Sequence, residues 1–127
     1  MIKGIGTDIV DIRRIERLIT KYTEHFLTKV FTPSEIDYCR KMAVPAMHFA
    51  GRWAVKEAFY KALPRSCQIH SSWKSVEIVS VEAGKPNIDI CSDDLKIVLK
   101  KEEISLFHVS ISHERHYCIA SVVLEKV

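Results

Sequence analysis

Residues 47–63 read MHFAGRWAVKEAFYKAL, and the rest of the chain organises around them. The stretch is rich in alanine and in long unbranched side chains, which lose least on entering a helix, and Pro64 ends it. The spacing predicts a helix over 47–63. Gly51 inside it costs about 1 kcal/mol relative to alanine, so a reason such as close packing is expected there. Glu57 and Lys61 stand at i and i+4 in the order that favours a surface ion pair. Ala50, Ala54 and Ala58 fall near the same side, which would leave Glu57 partly buried. A buried carboxylate needs a cation or donors to stay charged, and a lysine or a metal ion would serve.

Upstream, residues 1–10 (MIKGIGTDIV) read as a strand whose glycines mark a close approach of another backbone. Asp8 stands among apolar neighbours near its end, where an aspartate serves as a turn or capping group or as a functional carboxylate. Asp11 can cap a helix in which Ile12, Ile15 and Ile19 repeat on one face. Arg13, Arg14, Arg17 and Lys21 fall mostly on the other side. They make either a solvated face or a docking surface for an acidic partner. Thr32-Pro33-Ser34-Glu35 carries the marks of a second start: a capping threonine, a proline for the first turn and a glutamate to close the box. A short helix to about Lys41 follows.

Downstream, residues 76–81 read as a strand, Gly84-Lys85-Pro86 as a turn and 87–90 as a short strand. Residues 93–102 suit a helix. Residues 106–112 and 117–124 read as a hairpin about a polar turn at 113–116. His108, Ser110 and Ser112 share one strand face, while Phe107, Val109 and Ile111 share the other and look like core. A histidine between serines can bind anions or move protons, and it can equally be a solvated strand residue. His108, His113 and His116 match no zinc spacing.

With 127 residues the chain suits one domain with a modest core, and self-association often steadies a chain this short. Hydrophobic residues at 47% and charged residues at 28% give a globular balance. A net charge of +3 is too slight to imply nucleic-acid binding. No apolar run approaches the roughly 20 residues of a membrane span, and the first residues lack a signal peptide's apolar core. Cys39, Cys67, Cys91 and Cys118 form no CxxC pair and read as reduced core thiols of a cytoplasmic protein. The expected fold is α+β: one domain over 1–127, a mainly antiparallel sheet packed against helices.

Five separate segments, in order, resemble the holo-acyl-carrier-protein synthases, the small bacterial branch of the 4′-phosphopantetheinyl transferases. They are GIGTDIVDIRRIER, FTPSEIDYC, FAGRWAVKEAFYKAL with its W-x-x-K-E-A-x-x-K core, the Gly84-Lys85-Pro86 turn, and HVSISHERHYCIASVVLE. The resemblance implies a 4′-phosphopantetheinyl transferase-type domain. It implies transfer of the phosphopantetheine arm of coenzyme A to a serine of apo acyl carrier protein, releasing adenosine 3′,5′-bisphosphate in support of fatty acid biosynthesis. Asp8 and Glu57 would hold Mg2+, and Glu57, through a metal-bound water, would be the candidate base. Lys61 and Arg52 would contact coenzyme A phosphates. His108 and Gly84, Lys85 and Pro86 would line the coenzyme site. Arg14, Arg17 and Lys21 would meet the acidic carrier. A homotrimer with active sites between subunits is implied, with no nucleic acid and no membrane partner.

The chain departs from the family after its signature helix. A glycine-rich loop usually follows, whereas Leu63-Pro64-Arg65-Ser66-Cys67-Gln68 holds no glycine. Arg65 and Ser66 would then supply side-chain contacts in place of a backbone cradle. Two other classes fit the residues without the resemblance: a non-catalytic module for an acidic partner, and a magnesium-dependent hydrolase of nucleotide pyrophosphates.

Overall fold

A computed structural model describes residues 1–81 and 84–127. The central helix, α4 (Pro45–Ala62), lies against a three-stranded antiparallel sheet. The preceding elements are β1 (Ile2–Asp11), α1 (Ile12–Tyr22), α2 (Glu24–Val30) and α3 (Pro33–Arg40). After α4 come a one-turn helix α5 (Arg65–Gln68), a 3-10 turn at Trp73–Ser75, β2 (Val76–Ser80) and β3 (Pro86–Ile90). The chain closes with α6 (Asp93–Lys101), β4 (Leu106–Glu114) and β5 (Tyr117–Glu125). The sheet order is β1-β5-β4, and β2 and β3 pair separately as an antiparallel ribbon. This is the α+β architecture the sequence implies.

Alternation on the strands sets the layering. Gly6, Val10, Cys118, Ala120, Val122 and Leu124 face inward against α4. Thr7, Ile9, Ile119 and Ser121 face out. The two N-terminal glycines mark the close approach expected of them. A Cβ on Gly4 would lie 2.0 Å from the Ala62 carbonyl oxygen, and one on Gly6 would lie 1.9 Å from that of Ala58. Any side chain there would push the strand off the helix. The core around this contact includes Phe31, Phe49, Ala54, Val55, Phe59 and Ile15, all essentially buried. Close packing does not explain Gly51. Its absent Cβ would meet only the Ile111 side chain at 3.6 and 3.8 Å, an ordinary contact.

Local chemistry explains the helix ends. The Asp11 carboxylate accepts from the Arg13 amide at 2.9 Å and starts α1. Thr32 and Glu35 form a capping box at the start of α3, with Pro33 in its first turn. Helix α4 begins two residues earlier than expected because Pro45 suits a first helical position. It stops where Leu63, preceding Pro64, turns extended at ψ 142°. The hairpin turn is shorter than its polarity suggests: His113 and Glu114 stay in β4, paired with Cys118 and Tyr117, which leaves only Arg115 and His116 to reverse the chain. Local polarity marks where a turn can form, whereas register against β5 decides how far the ladder runs. Helix α2 is too short to announce itself by periodicity.

Candidate functional site

Asp8 sits within β1, two residues after the glycine that lets α4 come close. It pairs in register with the inward-facing Ala120, so its side chain lies on the α4 side of the sheet. The Lys61 ammonium reaches across from α4. Nζ lies 2.9 Å from Asp8 Oδ1, and it donates to the Thr7 carbonyl at 3.3 Å. The Asp8 side chain is largely covered, while Lys61 remains half exposed. Glu57, one turn before Lys61 on α4, is half-buried. Burial raises its carboxyl above the ordinary value, and the neighbouring Asp8 charge raises it further; Lys61 and Arg14 pull it back. Two acidic side chains from β1 and α4 thus share one small region with a lysine. The local i, i+4 pairing of Glu57 with Lys61 gives way to the tertiary pairing of Lys61 with Asp8.

Beside Glu57 opens a cavity of ≈ 240 Å³, bounded by Lys56, Glu57 and Tyr60 of α4 and by Ser71, Ser72, Trp73 and Val76. The indole of Trp73 lies on that of Trp53 of α4, with ring centroids 4.5 Å apart. The Arg14 guanidinium lies over the other end of this stack, 5.6 Å from the Trp53 ring. Arg17 and Lys21 are exposed along the same helix, and Lys21 lies over Tyr22 at 5.2 Å. The basic helix face therefore borders the acidic pair.

Arg52 takes a different position. Its guanidinium is buried, stacks 4.2 Å over the Tyr38 ring and donates to Ser80 Oγ at 3.2 Å. Its Nε finds no hydrogen-bond partner among the described residues. Burial, and then the charges of Arg52 and His113, lower the His48 imidazole below its usual value. The region is cationic and holds an orphaned donor, the chemistry of a place that can take an anion's oxygen.

His108 is not brought to Asp8 and Glu57 within one chain. It pairs with Val123, which pairs with the exposed Ile5, so it lies on the outer face of the sheet. There Nε2 lies 2.8 Å from Glu125 Oε1. Gly84, at φ +72°, occupies the left-handed region that favours glycine. Exposed Lys85 follows it, and half-buried Pro86, expected in the turn, is already the first residue of β3, paired with Ser80. Ser66 Oγ donates to Glu102, the residue that caps the C-terminus of α6, at 2.8 Å, and Arg65 is exposed.

Among the described residues no cluster of three or more His, Cys, Asp or Glu side chains could hold a metal. The donor set at the acidic pair is two carboxylates. It suits a hard divalent ion that keeps water and takes further oxygens from a phosphate, as magnesium does, better than zinc or calcium, which want more protein ligands.

Sequence reasoning left Lys56 without a role. Its ammonium is buried, lies 2.8 Å from Glu35 Oε1, and donates to the carbonyls of Val30, Trp73 and Val76 at 2.9, 2.7 and 3.1 Å. Glu35, read only as a capping residue, also accepts from the Ile78 amide at 2.7 Å. A signal was present: α4 is apolar nearly all round, so a lysine on it must be partnered inside.

The model of the 4′-phosphopantetheinyl transferase superfamily matches residues 4–122. The holo-[acyl-carrier-protein] synthase of Syntrophus aciditrophicus is 42% identical over 125 residues, which is 98% of this chain and 97% of that protein. The crystal structure of the Neisseria meningitidis synthase superposes with a TM-score of 0.86 at 35% identity, covering 99% of this chain and 100% of that one. The Bacillus anthracis synthase, solved in complex with CoA (3′,5′-ADP), gives 0.79 at 30% identity, covering 100% and 99%.

Proposed function

The chain belongs to the 4′-phosphopantetheinyl transferase superfamily, in its holo-[acyl-carrier-protein] synthase branch, and on that premise we propose that it moves the phosphopantetheine arm of coenzyme A onto a serine of apo acyl carrier protein. The reaction depends on Mg2+, takes place in the cytoplasm and supports fatty acid biosynthesis. The convergence of Asp8, Glu57 and Lys61 from a strand and a helix far apart in sequence carries this reading.

Asp8 and Glu57 would hold the magnesium ion. When bound, it offsets charge on the pyrophosphate and on the leaving group. Glu57 accepts the serine proton at a carboxylate oxygen, directly or through one water. The serine oxygen then forms its bond to the β-phosphorus, and the bond from that phosphorus to the bridging oxygen breaks. Adenosine 3′,5′-bisphosphate leaves with the electron pair. Lys61, anchored by Asp8 and a backbone carbonyl, turns its ammonium to a phosphate oxygen. Arg52 offers its guanidinium to another, and positioning plus charge supply most of the acceleration. Arg14, Arg17 and Lys21 receive the acidic carrier.

His108 and the Gly84-Lys85-Pro86 turn complete the coenzyme site from a neighbouring copy in a homotrimer. Two observations support this: His108 lies across the sheet from Asp8, and the outer sheet face carries Ile5, Ile9 and Ile119 at 63%, 64% and 41% exposure. An uncovered apolar face of this kind marks an interaction surface.

The test incubates the protein with coenzyme A, Mg2+ and apo acyl carrier protein, and weighs the carrier. A phosphopantetheine mass gain supports transfer. Nucleotide release without mass gain would assign a hydrolase, and neither change would leave a binding module.

A further inference from the structure

The Lys56–Glu35 pair is the one fully buried ion pair among the described residues, at 1% and 0% side-chain exposure. Such a pair is a poor stability device, because desolvating two charges offsets most of their attraction. What it connects is more informative. Lys56 precedes Glu57 on α4, and its ammonium takes the carbonyls at both ends of the Trp73–Val76 segment. That segment supplies two of the groups that wall the cavity at Glu57. Glu35 Oε2 takes the Ile78 amide two residues further on, and Oε1 takes Lys56 itself. The far side of the segment is tied by Ser75 Oγ, which accepts from the Ser72 amide at 2.9 Å. The wall is thus bolted to α4 from beneath, by a charge that never reaches solvent, and its outer surface carries Trp73 stacked on Trp53.

We infer that Lys56 and Glu35 are positioning residues: they hold the Trp73–Val76 wall at a fixed distance from α4, so that the cavity beside Glu57 is preformed for coenzyme A. The inference rests on the coenzyme A reading above. Carbonyls at both ends of a short segment, converging on one ammonium, define a distance that hydrophobic packing alone leaves adjustable. Packing fixes that something fills the space, whereas four oxygens around one nitrogen fix where the backbone lies. Arg14, Arg17 and Lys21, the residues assigned to the carrier, do not line this cavity, so the pair acts first on the coenzyme.

The experiment compares wild type with Lys56→Met/Glu35→Gln. The double change removes both buried charges together, which avoids stranding either one, and glutamine keeps a carbonyl for one of the two amides, Thr32 or Ile78, that Glu35 holds on separate oxygens. The protein's only two tryptophans are Trp53 and Trp73, so near-UV circular dichroism and tryptophan fluorescence report on this wall directly. The expected result is a folded variant with an altered tryptophan signature and a KM for coenzyme A raised about tenfold, with the KM for the carrier unchanged. A merely structural lesion lowers the folded fraction, and so kcat, and leaves both KM values alone. A folded double variant with wild-type tryptophan spectra and a wild-type KM for coenzyme A overturns the inference. If the double variant fails to fold, Trp73→Leu, which leaves the buried pair intact, carries the test: the same selective rise in the coenzyme KM supports the inference, and its absence defeats it. Wild-type protein that neither binds nor transfers from coenzyme A refutes the transferase reading instead. The tryptophan spectra of the double variant then still decide whether the pair holds the wall.

Discussion

Lys61 is held by Asp8, at 2.9 Å, and not by Glu57, its helical neighbour one turn away. This leaves Glu57 half-buried, next to a second carboxylate, without a direct ion pair of its own among the described residues. Such a group destabilises the protein in its charged form. Its folded pKa lies above the ordinary 4.5, so folding penalises ionisation: the penalty is fully present above the folded pKa and disappears as pH falls below the unfolded one. At pH 7, with no divalent ion, Glu57→Gln should therefore raise the melting temperature. The same change should lower turnover at least a hundredfold, since it removes a base and a ligand together. Added Mg2+ should raise the melting temperature of wild type and not of the variant. Thermal denaturation with and without EDTA checks both signs. An unchanged or lower melting temperature in EDTA would sink the claim that Glu57 is held under strain for function.

For Asp8 the signs differ, because its carboxylate already has a cation. Asp8→Asn should cost turnover by two orders of magnitude or more without the gain in stability, and it releases Lys61. Near-wild-type, magnesium-dependent rates in Asp8→Asn would remove the metal assignment.

The glycines separate by the same kind of reasoning. Gly6→Ala drives a methyl into the backbone of α4 at Ala58, which has no flexible end to move aside. A loss of roughly 3 kcal/mol or more is expected, enough to depopulate a marginal fold. Gly51→Ala meets only the tip of Ile111 and gains helix propensity, so it should be neutral or stabilising by up to about 1 kcal/mol. Urea denaturation of the two variants tests the contrast. A destabilised Gly51→Ala would mean that the glycine serves something other than packing.

What the sequence makes legible here is whatever is local. The capping box at Thr32 and Glu35, the N-cap at Asp11 and the alternation of β4 all follow from residues within one turn or one strand of each other. The α+β class follows from those periods. What escapes is every partner chosen across the fold. Glu35 closes its box as its neighbours dictate, yet its second oxygen holds β2, and nothing near residue 35 names Ile78. Glu57 and Lys61 sit at the spacing of an ion pair, yet a strand fifty residues upstream takes the lysine. The separation of His108 from Asp8 is likewise invisible until strand register puts them on opposite faces.

The basic face of α1 is open to a direct test. Arg14 is braced over Trp53, and Arg17 and Lys21 are exposed on the same helix. Arg14→Glu/Arg17→Glu should raise the KM for the carrier about tenfold to a hundredfold at low salt and leave the coenzyme KM within about twofold. The wild-type carrier KM should itself rise with ionic strength as exposed charges are screened. Equal carrier KM values for variant and wild type would remove α1 as the docking surface.

The split of the site across the sheet makes the strongest demand. If Asp8 and Glu57 act with His108 of a neighbouring copy, no single chain contains a working centre. His108→Ala and Asp8→Asn proteins should then each be inactive alone. Mixed, unfolded and refolded together, they should recover a definite fraction of activity, because some interfaces join an intact Asp8 to an intact His108. Ile9→Lys places a charge in the middle of the outer sheet face, where Ile9 lies opposite Ile119. It should reduce the assembly to monomers by analytical ultracentrifugation and abolish transfer while leaving Asp8, Glu57 and Lys61 in place. A monomeric Ile9→Lys protein that retains full activity would show that His108 is dispensable to the chemistry. No recovery in the refolded mixture would show that the two halves of the site are not shared between chains.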